Sequence, residues 1–247
     1  MKKICIIGLG NMGTAMTEIL RTNILYSIEG CGHEDEINLK LGNAEIVIIA
    51  VKPQSFAEMA SGLKVDMSEK LVISIMAGIS IEKMQEVLGV KKVVRTLPSL
   101  PLKVGQSLTV WKAADEVSAE EKHVTREILK SFGDEVEVED ENQLSLISVI
   151  SGCGPAYFAY FGEKMADFLV KNGMTVEEAG KIAKQTLIGT GELVKQSGWD
   201  LQEMRERVTS KGGLTEAAIK NMEENDLGEV VEKAAEAAIK RNSELNK

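Results

Sequence analysis

The sequence predicts an α/β protein with a doubly wound, mostly parallel sheet in its N-terminal part and an all-α C-terminal part. Three observations support this fold class. Short apolar runs alternate with amphipathic segments along the N-terminal half of the chain. The first three runs are continuously apolar, as in strands that are buried on both faces. No strand-like run follows Gln143, so we predict two domains, residues 1–143 and residues 144–247.

Each apolar run of the N-terminal domain has the length of one strand, and the segments between the runs have helical periodicity. Ser80 precedes one helical segment, and Ser118 with Glu121 has the sequence pattern of a capping box. The predicted strands are Ile4–Ile7, Ile46–Val51, Leu71–Met76, Lys92–Arg95, Ser107–Trp111 and Glu135–Glu139, with Ile24–Ile28 as a further candidate. The predicted helices are Asn11–Leu20, Gln54–Ser61, Ile81–Leu88 and Ala119–Phe132.

The C-terminal domain consists of helical segments, one of which begins at a second capping box, Thr175 with Glu178. The helix from Pro155 is apolar on nearly every side, so it must be buried in the domain core or against a second subunit. We therefore expect a homodimer and interpret this domain as a dimerisation domain. The predicted helices are Pro155–Lys171, Val176–Gln196, Leu201–Val208, Glu216–Asn221 and Leu227–Leu245.

Composition and charge exclude several classes of protein. The 247 residues carry a net charge of −9, which disfavours a nucleic-acid partner. The three cysteines are widely spaced, as is typical of reduced thiols in a cytoplasmic protein. With only His33 and His123, of which we expect His123 at the surface, a His-rich metal site is excluded. No run approaches the roughly 18 apolar residues of a membrane span, so we expect a soluble protein without a membrane partner.

A glycine turn follows the first predicted strand directly. Gly8 permits a tight turn, Gly10 lets the backbone approach a pyrophosphate, and Gly13 lets the next helix pack on the strand. The diphosphate of a dinucleotide would lie at the helix N-terminus, where N–H groups and the helix dipole favour negative charge. The pattern predicts a Rossmann-like domain that binds NADPH or NADH; the alternative is a purely structural turn. The predicted binding residues here are Gly8, Leu9, Gly10, Asn11 and Met12.

The ends of other strands should also face the cofactor, because ligands of open α/β sheets bind at the carboxyl ends of strands. Glu29 follows the candidate strand Ile24–Ile28, where a carboxylate would pair with the ribose 2′-hydroxyl and favour NAD over NADP. The alternative for Glu29 is a solvated turn residue. The other predicted cofactor-binding residues at strand ends are Ala50, Val51, Lys52, Pro53, Met76, Ala77, Gly78 and Ser99.

A polar glycine loop, residues 207–215, precedes one C-terminal helix. Gly212 and Gly213 before the helix expose backbone N–H groups, which form a site for a carboxylate. Ser210 and Thr215 add hydroxyl groups. The alternative is that Thr215 or Ser210 only caps the helix.

Two stretches identify a family resemblance: Ser151-Gly152-Cys153-Gly154-Pro155-Ala156-Tyr157 and Arg207-Val208-Thr209-Ser210-Lys211-Gly212-Gly213-Leu214-Thr215. With the glycine turn and Ala50-Val51-Lys52-Pro53, they resemble the pyrroline-5-carboxylate reductases, from residue 1 to the Arg-Asn-Ser-Glu-Leu near the C-terminus. The resemblance implies hydride transfer from NADPH or NADH to the C=N bond of L-1-pyrroline-5-carboxylate, which gives L-proline. It also implies a homodimer or higher homo-oligomer formed through the C-terminal helices.

The resemblance implies roles for individual residues as well. Substrate binding is expected at Ser210, Gly213, Leu214 and Thr215, and the catalytic hydroxyls are expected at Thr215 and Ser210. Asn38 is expected to contact the cofactor.

The chain departs from the family pattern at four places. Gly13 and Lys52 are closer in sequence than in the family, so the second βαβ unit is shortened. The family's Pro-Asn-Thr-Pro is Pro98-Ser99-Leu100-Pro101 here, so an amide on the nicotinamide side is lost. Lys211 replaces a proline, and Cys153 and Leu214 replace a serine and a small residue. Three alternatives therefore remain: a reductase of another cyclic imine, a non-catalytic nucleotide-binding dimer, and a hydroxyacid dehydrogenase using Lys164 as acid–base group.

Overall fold

A computed structural model describes residues 1–32 and 34–245, which form seven strands and eleven α-helices. The strands are β1 (Lys2–Ile7), β2 (Tyr26–Cys31), β3 (Ile46–Ile49), β4 (Leu71–Ser74), β5 (Val93–Leu97), β6 (Ser107–Ala113) and β7 (Gly133–Glu137). The helices are α1 (Asn11–Arg21), α2 (Glu34–Gly42), α3 (Phe56–Ser61), α4 (Ile81–Leu88), α5 (Ala119–Lys130), α6 (Glu141–Ser151), α7 (Gly154–Lys171), α8 (Val176–Ser197), α9 (Leu201–Arg207), α10 (Leu214–Glu224) and α11 (Leu227–Leu245).

The seven strands form one sheet in the order β2-β1-β3-β4-β5-β6-β7. All neighbouring strands are parallel except β5 and β6, which confirms the predicted mostly parallel, doubly wound sheet. Ile7 at the end of β1 pairs with Cys31 of β2 and with Ile49 of β3, so these three strands end together. Because the chain passes from one side of β1 to the other, a topological switch point lies between β1 and β3, where open sheets bind ligands.

Continuous apolar runs form the centre of the core, as predicted. Every residue of β3 and β4 is buried, and so are the last four residues of β1. Met16 and Leu20 on α1 are fully buried in the same hydrophobic cluster. The thiols of Cys5 and Cys31 lie 3.3 Å apart on neighbouring strands, and the hydrogen bond between them, with burial, raises the pKa of Cys5.

The predicted helix caps are confirmed. The Ser80 hydroxyl accepts a hydrogen bond from Lys83 N at 3.1 Å. Both capping boxes are present, that of Ser118 with Glu121 and that of Thr175 with Glu178. The hydroxyl and backbone N–H of Thr175 hold the pKa of Glu178 below its usual value. These local patterns determine where α4, α5 and α8 begin.

Two helices escaped the prediction, and one candidate strand was misplaced. The helices are α2 and α6; the signal for α6 is Asp140, whose carboxylate accepts hydrogen bonds from Asn142 N and Gln143 N. Because α2 is present, the second βαβ unit keeps all its elements although it is short. Glu29 does not follow β2 but lies within it, opposite Cys5. The predicted basis for a preference for NAD is therefore wrong, and His33, beyond the end of β2, lies outside the described residues.

The chain divides into two compact units. One comprises Met1–Cys153 and Ala238–Lys247, and the other comprises Gly154–Ala237. The first unit thus includes α6 and the last turns of α11 in addition to the sheet. The predicted domain boundary after residue 143 falls inside α6.

Helix α7 is not buried within the described part of the chain. Phe158, Phe161, Met165 and Phe168 follow one another at helical spacing and are 38–64% exposed. By length and composition alone, Glu141–Lys171 could cross a membrane: an 18-residue window has a mean hydropathy of 1.4 and is 17% buried. The expectation that no such stretch exists was wrong, because that expectation required an unbroken apolar run, whereas serine, glycine and proline residues interrupt this one.

A buried ion pair joins three elements of the first unit. Arg95 lies in the middle of β5 with a side chain only 4% exposed, and its Nη1 lies 2.5 Å from Glu141 Oε1. The same carboxylate accepts from Ile81 N at 3.3 Å. Glu141 therefore links the start of α6 to β5 and to the start of α4.

Removal of this carboxylate should destabilise the protein strongly. We expect Glu141→Ala to lower the free energy of unfolding by about 3 kcal/mol or more, because it leaves a buried guanidinium without its counter-charge. Urea denaturation followed by circular dichroism measures the loss. Glu139→Ala, which removes an exposed carboxylate two residues earlier, is the control and should lower it by less than about 0.5 kcal/mol. Equal effects of the two substitutions would contradict the assignment.

Candidate dinucleotide and substrate site

Close backbone packing builds the glycine turn after β1. Gly8 has a φ of +99°, and a Cβ there would lie 2.7 Å from the carbonyl carbon of Ala50. A Cβ at Gly13 would lie 1.9 Å from the Gly8 carbonyl oxygen. Both positions therefore require glycine, since a side chain would separate β1, α1 and the end of β3. The turn lies at the switch point of the sheet.

Gly10 differs from the other two glycines, because apart from its chain neighbours no atom of the described residues lies within 4 Å of the position a Cβ would take there. It is the N-cap residue of α1, with no side-chain cap and no acidic residue in the first turn. The N–H groups at this helix end are available to an anion, and open space lies in front of them. A groove of about 540 Å³ begins here, lined by Leu9, Gly10, Asn11, one face of α1 and Lys103. These features fit the diphosphate of a dinucleotide.

The predicted residues at the other strand ends divide into two groups. The backbone of Ala50 and Val51 adjoins Gly8, and Lys52 and Ala77 are exposed beside the strand ends. Met76 is 1% exposed in the core, however. Ser99 is 4% exposed, and its hydroxyl lies 3.2 Å from that of Ser107. The side chains of Met76 and Ser99 thus face the protein interior, and only their backbone lies near the carboxyl-end edge of the sheet. Pro53 and Gly78 are partly buried at this edge.

A cavity of about 400 Å³ lies at the carboxyl ends of β4 and β5. Of its lining, only Met12 and Ala77 were predicted to bind the cofactor. Ala238, Arg241 and Asn242 come from the end of α11. A signal for the last two was the Arg-Asn-Ser-Glu-Leu, at which the resemblance to the family ends. The remaining lining residues are Ile75, Leu97, Pro98, Ser148, Val149, Gly152 and Cys153.

Asn38 lies on α2. Its Nδ2 donates to Gly62 O at 2.9 Å, and its Oδ1 accepts from Lys64 N at 2.7 Å. Both ends of the amide therefore tie α2 to the loop after α3. The structure gives this side chain a positioning role, and its cofactor contact stays a prediction.

The glycine loop of the second unit presents a helix N-terminus. Gly213 is the N-cap residue of α10 and has no side-chain cap, so neither Ser210 nor Thr215 caps the helix there. A Cβ on Gly213 would lie 2.5 Å from Ser210 Oγ. Glu216 reaches back and accepts from Gly212 N at 2.7 Å. Leu214 is 93% exposed and Thr215 partly buried at the same helix end.

The candidate acid–base residues do not form a catalytic group. The Lys164 ammonium lies 2.6 Å from Asp167 Oδ2, and this contact raises the pKa of Lys164. An ammonium held in its charged form at the surface of α7 is poorly suited to accept a proton near pH 7. His123 is exposed on α5, as predicted. Among the residues that the structure describes, no group of three or more His, Cys, Asp or Glu could hold a metal ion.

The fold and the glycine turn define the first unit as a dinucleotide-binding α/β unit. Two family models match the chain. The model for pyrroline-5-carboxylate reductase dimerisation matches residues 141–245, and that for coenzyme F420-dependent NADP oxidoreductases matches residues 34–78. The pyrroline-5-carboxylate reductase of Haemophilus influenzae is 36% identical over 205 residues, which cover 82% of this chain and 76% of that protein. The enzyme of Pasteurella multocida is 31% identical over 270 residues, covering 100% and 98%.

Solved structures agree with these relatives. The pyrroline-5-carboxylate reductase of Coxiella burnetii has a TM-score of 0.88 at 29% identity, covering 99% of this chain and 98% of that one. The NADP-bound enzyme of Plasmodium falciparum has a TM-score of 0.84 at 29% identity, covering 100% and 98%. The chain belongs to the pyrroline-5-carboxylate reductase family.

Substitution of Gly10 should weaken cofactor binding, whereas substitution of Gly13 should lower stability. We expect Gly10→Ala to raise the Kd for NADPH about tenfold with little change in the melting temperature, because the methyl group enters the open space in front of α1. Gly13→Ala should lower stability by about 3 kcal/mol, because its methyl group overlaps a backbone carbonyl. Fluorescence titration with NADPH and thermal melts separate the two effects. A large loss of stability in Gly10→Ala would contradict the assignment.

Proposed function

We propose that this chain is a cytoplasmic pyrroline-5-carboxylate reductase, which reduces the C=N bond of L-1-pyrroline-5-carboxylate to give L-proline, the last step of proline biosynthesis. One observation carries the proposal: the open diphosphate cradle at Gly10 is intact in a chain that matches the family along its whole length. When bound, reduced NADPH or NADH supplies a hydride to the imine carbon. The shortened second βαβ unit does not remove the cradle, since β2, α2 and β3 are all present.

The first unit holds and orients the cofactor. The N–H groups at the start of α1 bind the diphosphate, with Gly8, Leu9, Gly10, Asn11 and Met12 forming the turn around it. The backbone after β3 and β4 borders the remainder of the cofactor, where Ala50, Val51, Lys52, Pro53, Ala77 and Gly78 lie at the strand ends.

The loop before α10 binds the substrate carboxylate. Because Glu216 already occupies the Gly212 N–H, the groups offered to the carboxylate are the N–H groups at the first turn of α10. Ser210 adds a hydroxyl, and the positive charge of Lys211 next to it favours an anion. The overall reaction consumes one imine, one reduced cofactor and one proton, and it releases the amine and the oxidised cofactor.

Little acid–base machinery is needed, because a protonated imine is already electrophilic and keeps its proton on nitrogen as the carbon accepts the hydride. Thr215 is the hydroxyl that we assign to the ring nitrogen, which it orients by a hydrogen bond. Catalysis then depends on positioning rather than on proton transfer by a titrating side chain. This agrees with a site that has no histidine among the described residues.

The first experiment is a turnover assay of the purified protein at saturating pyrroline-5-carboxylate with NADPH and, separately, with NADH. We expect oxidation of at least one cofactor and formation of proline. Cofactor binding without turnover would overturn the proposal in favour of another cyclic imine or a nucleotide-binding dimer without activity.

The hydroxyl of Thr215 is tested by substitution. We expect Thr215→Ala to lower kcat/KM for the imine roughly 100-fold, because the ring nitrogen loses the group that orients it. Thr215→Ser should restore most of the activity. Thr186→Ala is the matched control, since the hydroxyl of this exposed helical threonine donates to the carbonyl of Ile182 in its own helix. Wild-type kinetics in Thr215→Ala would refute the assignment.

We further propose that a second copy of the chain, rather than lipid, covers the apolar stripe of α7 formed by Phe158, Phe161, Met165 and Phe168. The stripe lies within the region that matches the dimerisation model. The helix also carries the exposed ion pair of Lys164 with Asp167, whose charges would be costly in a hydrocarbon layer.

A charge introduced into the stripe should prevent assembly. We expect Phe161→Asp to convert the oligomer to monomer in sedimentation velocity, because a carboxylate would be buried without a partner in the interface. Leu39→Asp is the control, since Leu39 is 78% exposed on α2. Co-sedimentation of the wild type with phosphatidylcholine vesicles, or an unchanged oligomer in Phe161→Asp, would refute the interface.

A further inference from the structure

The end of α11 forms one wall of the 400 Å³ cavity at the carboxyl ends of β4 and β5. Ala238, Arg241 and Asn242 are three and four residues apart, so they share one face of the helix. Met12, in the first turn of α1, lies on the same cavity, which therefore begins at the helix end that binds the diphosphate. All of these residues belong to the first compact unit.

The cavity is apolar apart from a few groups, and most of those are already engaged. The Ser148 hydroxyl donates to Ser145 O at 2.8 Å. Arg241 Nη1 donates to Glu244 Oε2 at 2.8 Å. Asn242 is half-buried, and its amide has no hydrogen-bond partner within the described part of the chain. An amide in a mainly apolar cavity without a partner leaves two donors and an acceptor available to a ligand.

We propose that Asn242 is a specificity-determining residue for the cofactor, whose side-chain amide hydrogen-bonds the carboxamide of the nicotinamide ring. The carboxamide N–H₂ is the donor in this bond, and the Asn242 Oδ1 is the acceptor that complements it. The apolar walls, Ile75, Leu97 and Pro98 among them, suit the faces of the ring. The inference rests on the proposed function, because it requires a nicotinamide cofactor.

The charge of the cavity supports a neutral partner for Asn242. Among the described lining residues the one cationic side chain, Arg241, is paired with Glu244, so the pair presents little net charge to a ligand. Ser99, which stands where the family has an asparagine, is buried and bonded to Ser107, and its hydroxyl does not line the cavity. Asn242 is therefore the amide that this chain provides at the ring.

The test uses NADH and its 3-acetylpyridine analogue, in which a methyl group replaces the carboxamide nitrogen. We expect Asn242→Ala to raise the Kd for NADH about fivefold, the scale of one neutral hydrogen bond, and to leave the Kd for the analogue within twofold of the wild type. Both values come from fluorescence titration of the full-length protein without substrate. Thermal melts confirm that the variant is folded.

Ser243→Ala is the matched control, since the neighbouring exposed hydroxyl donates to the carbonyl of Ile239 in its own helix. It should leave both dissociation constants unchanged. An unchanged Kd for NADH in Asn242→Ala, an equal loss for NADH and the analogue, or no binding of NADH by the wild type would each overturn the inference. Because the readout is binding, a wild type that binds NADH but reduces the imine with neither NADH nor NADPH would refute the proposed function and leave this inference testable by itself.

Discussion

The contact between the Gly8 carbonyl and Gly13 is the constraint on which the first unit depends. It brings α1 against β1 so closely that a methyl group at Gly13 would lie 1.9 Å from a backbone oxygen. Gly8 in turn packs against the backbone of Ala50 at the end of β3. Three elements are thereby locked together at the switch point of the sheet. As a result, the positive end of the α1 dipole points into open space at the edge where ligands bind.

The second interaction that shapes the first unit is the ion pair of Arg95 with Glu141. Glu141 holds the start of α6 against Arg95 in the middle of the sheet, and the far end of the same helix contributes Ser148 and Val149 to the cavity. Removal of two charges from water is costly, so the pair contributes through position more than through net stability. The cavity wall thus depends on an ion pair far from the glycine turn. Its last contribution, from α11, comes from the other end of the chain.

The candidate site is suited to aligning a bound substrate rather than to transferring protons. The candidate hydroxyls of Ser210 and Thr215 lie beside the N-terminus of α10. Lys164, at the surface of α7, is held in its charged form by Asp167. Glu216 limits the loop before α10 by occupying one of its N–H groups. Such an arrangement suits a substrate that is itself an activated electrophile, since a hydride acceptor of that kind needs alignment rather than a strong acid or base.

The sequence by itself determined most strands and helices, three helix caps and the glycine turn, because continuous apolar runs, cap residues and glycine spacing are local properties of the chain. It placed Gly8, Gly10 and Gly13 correctly and missed α2 and α6, whose periodicity is weak. Only the tertiary structure decided that Met76 and Ser99 turn inward, that Asn38 braces a loop, and that Asn242 lines the cavity of Met12. Those outcomes depend on packing between segments distant in sequence, which no local pattern records.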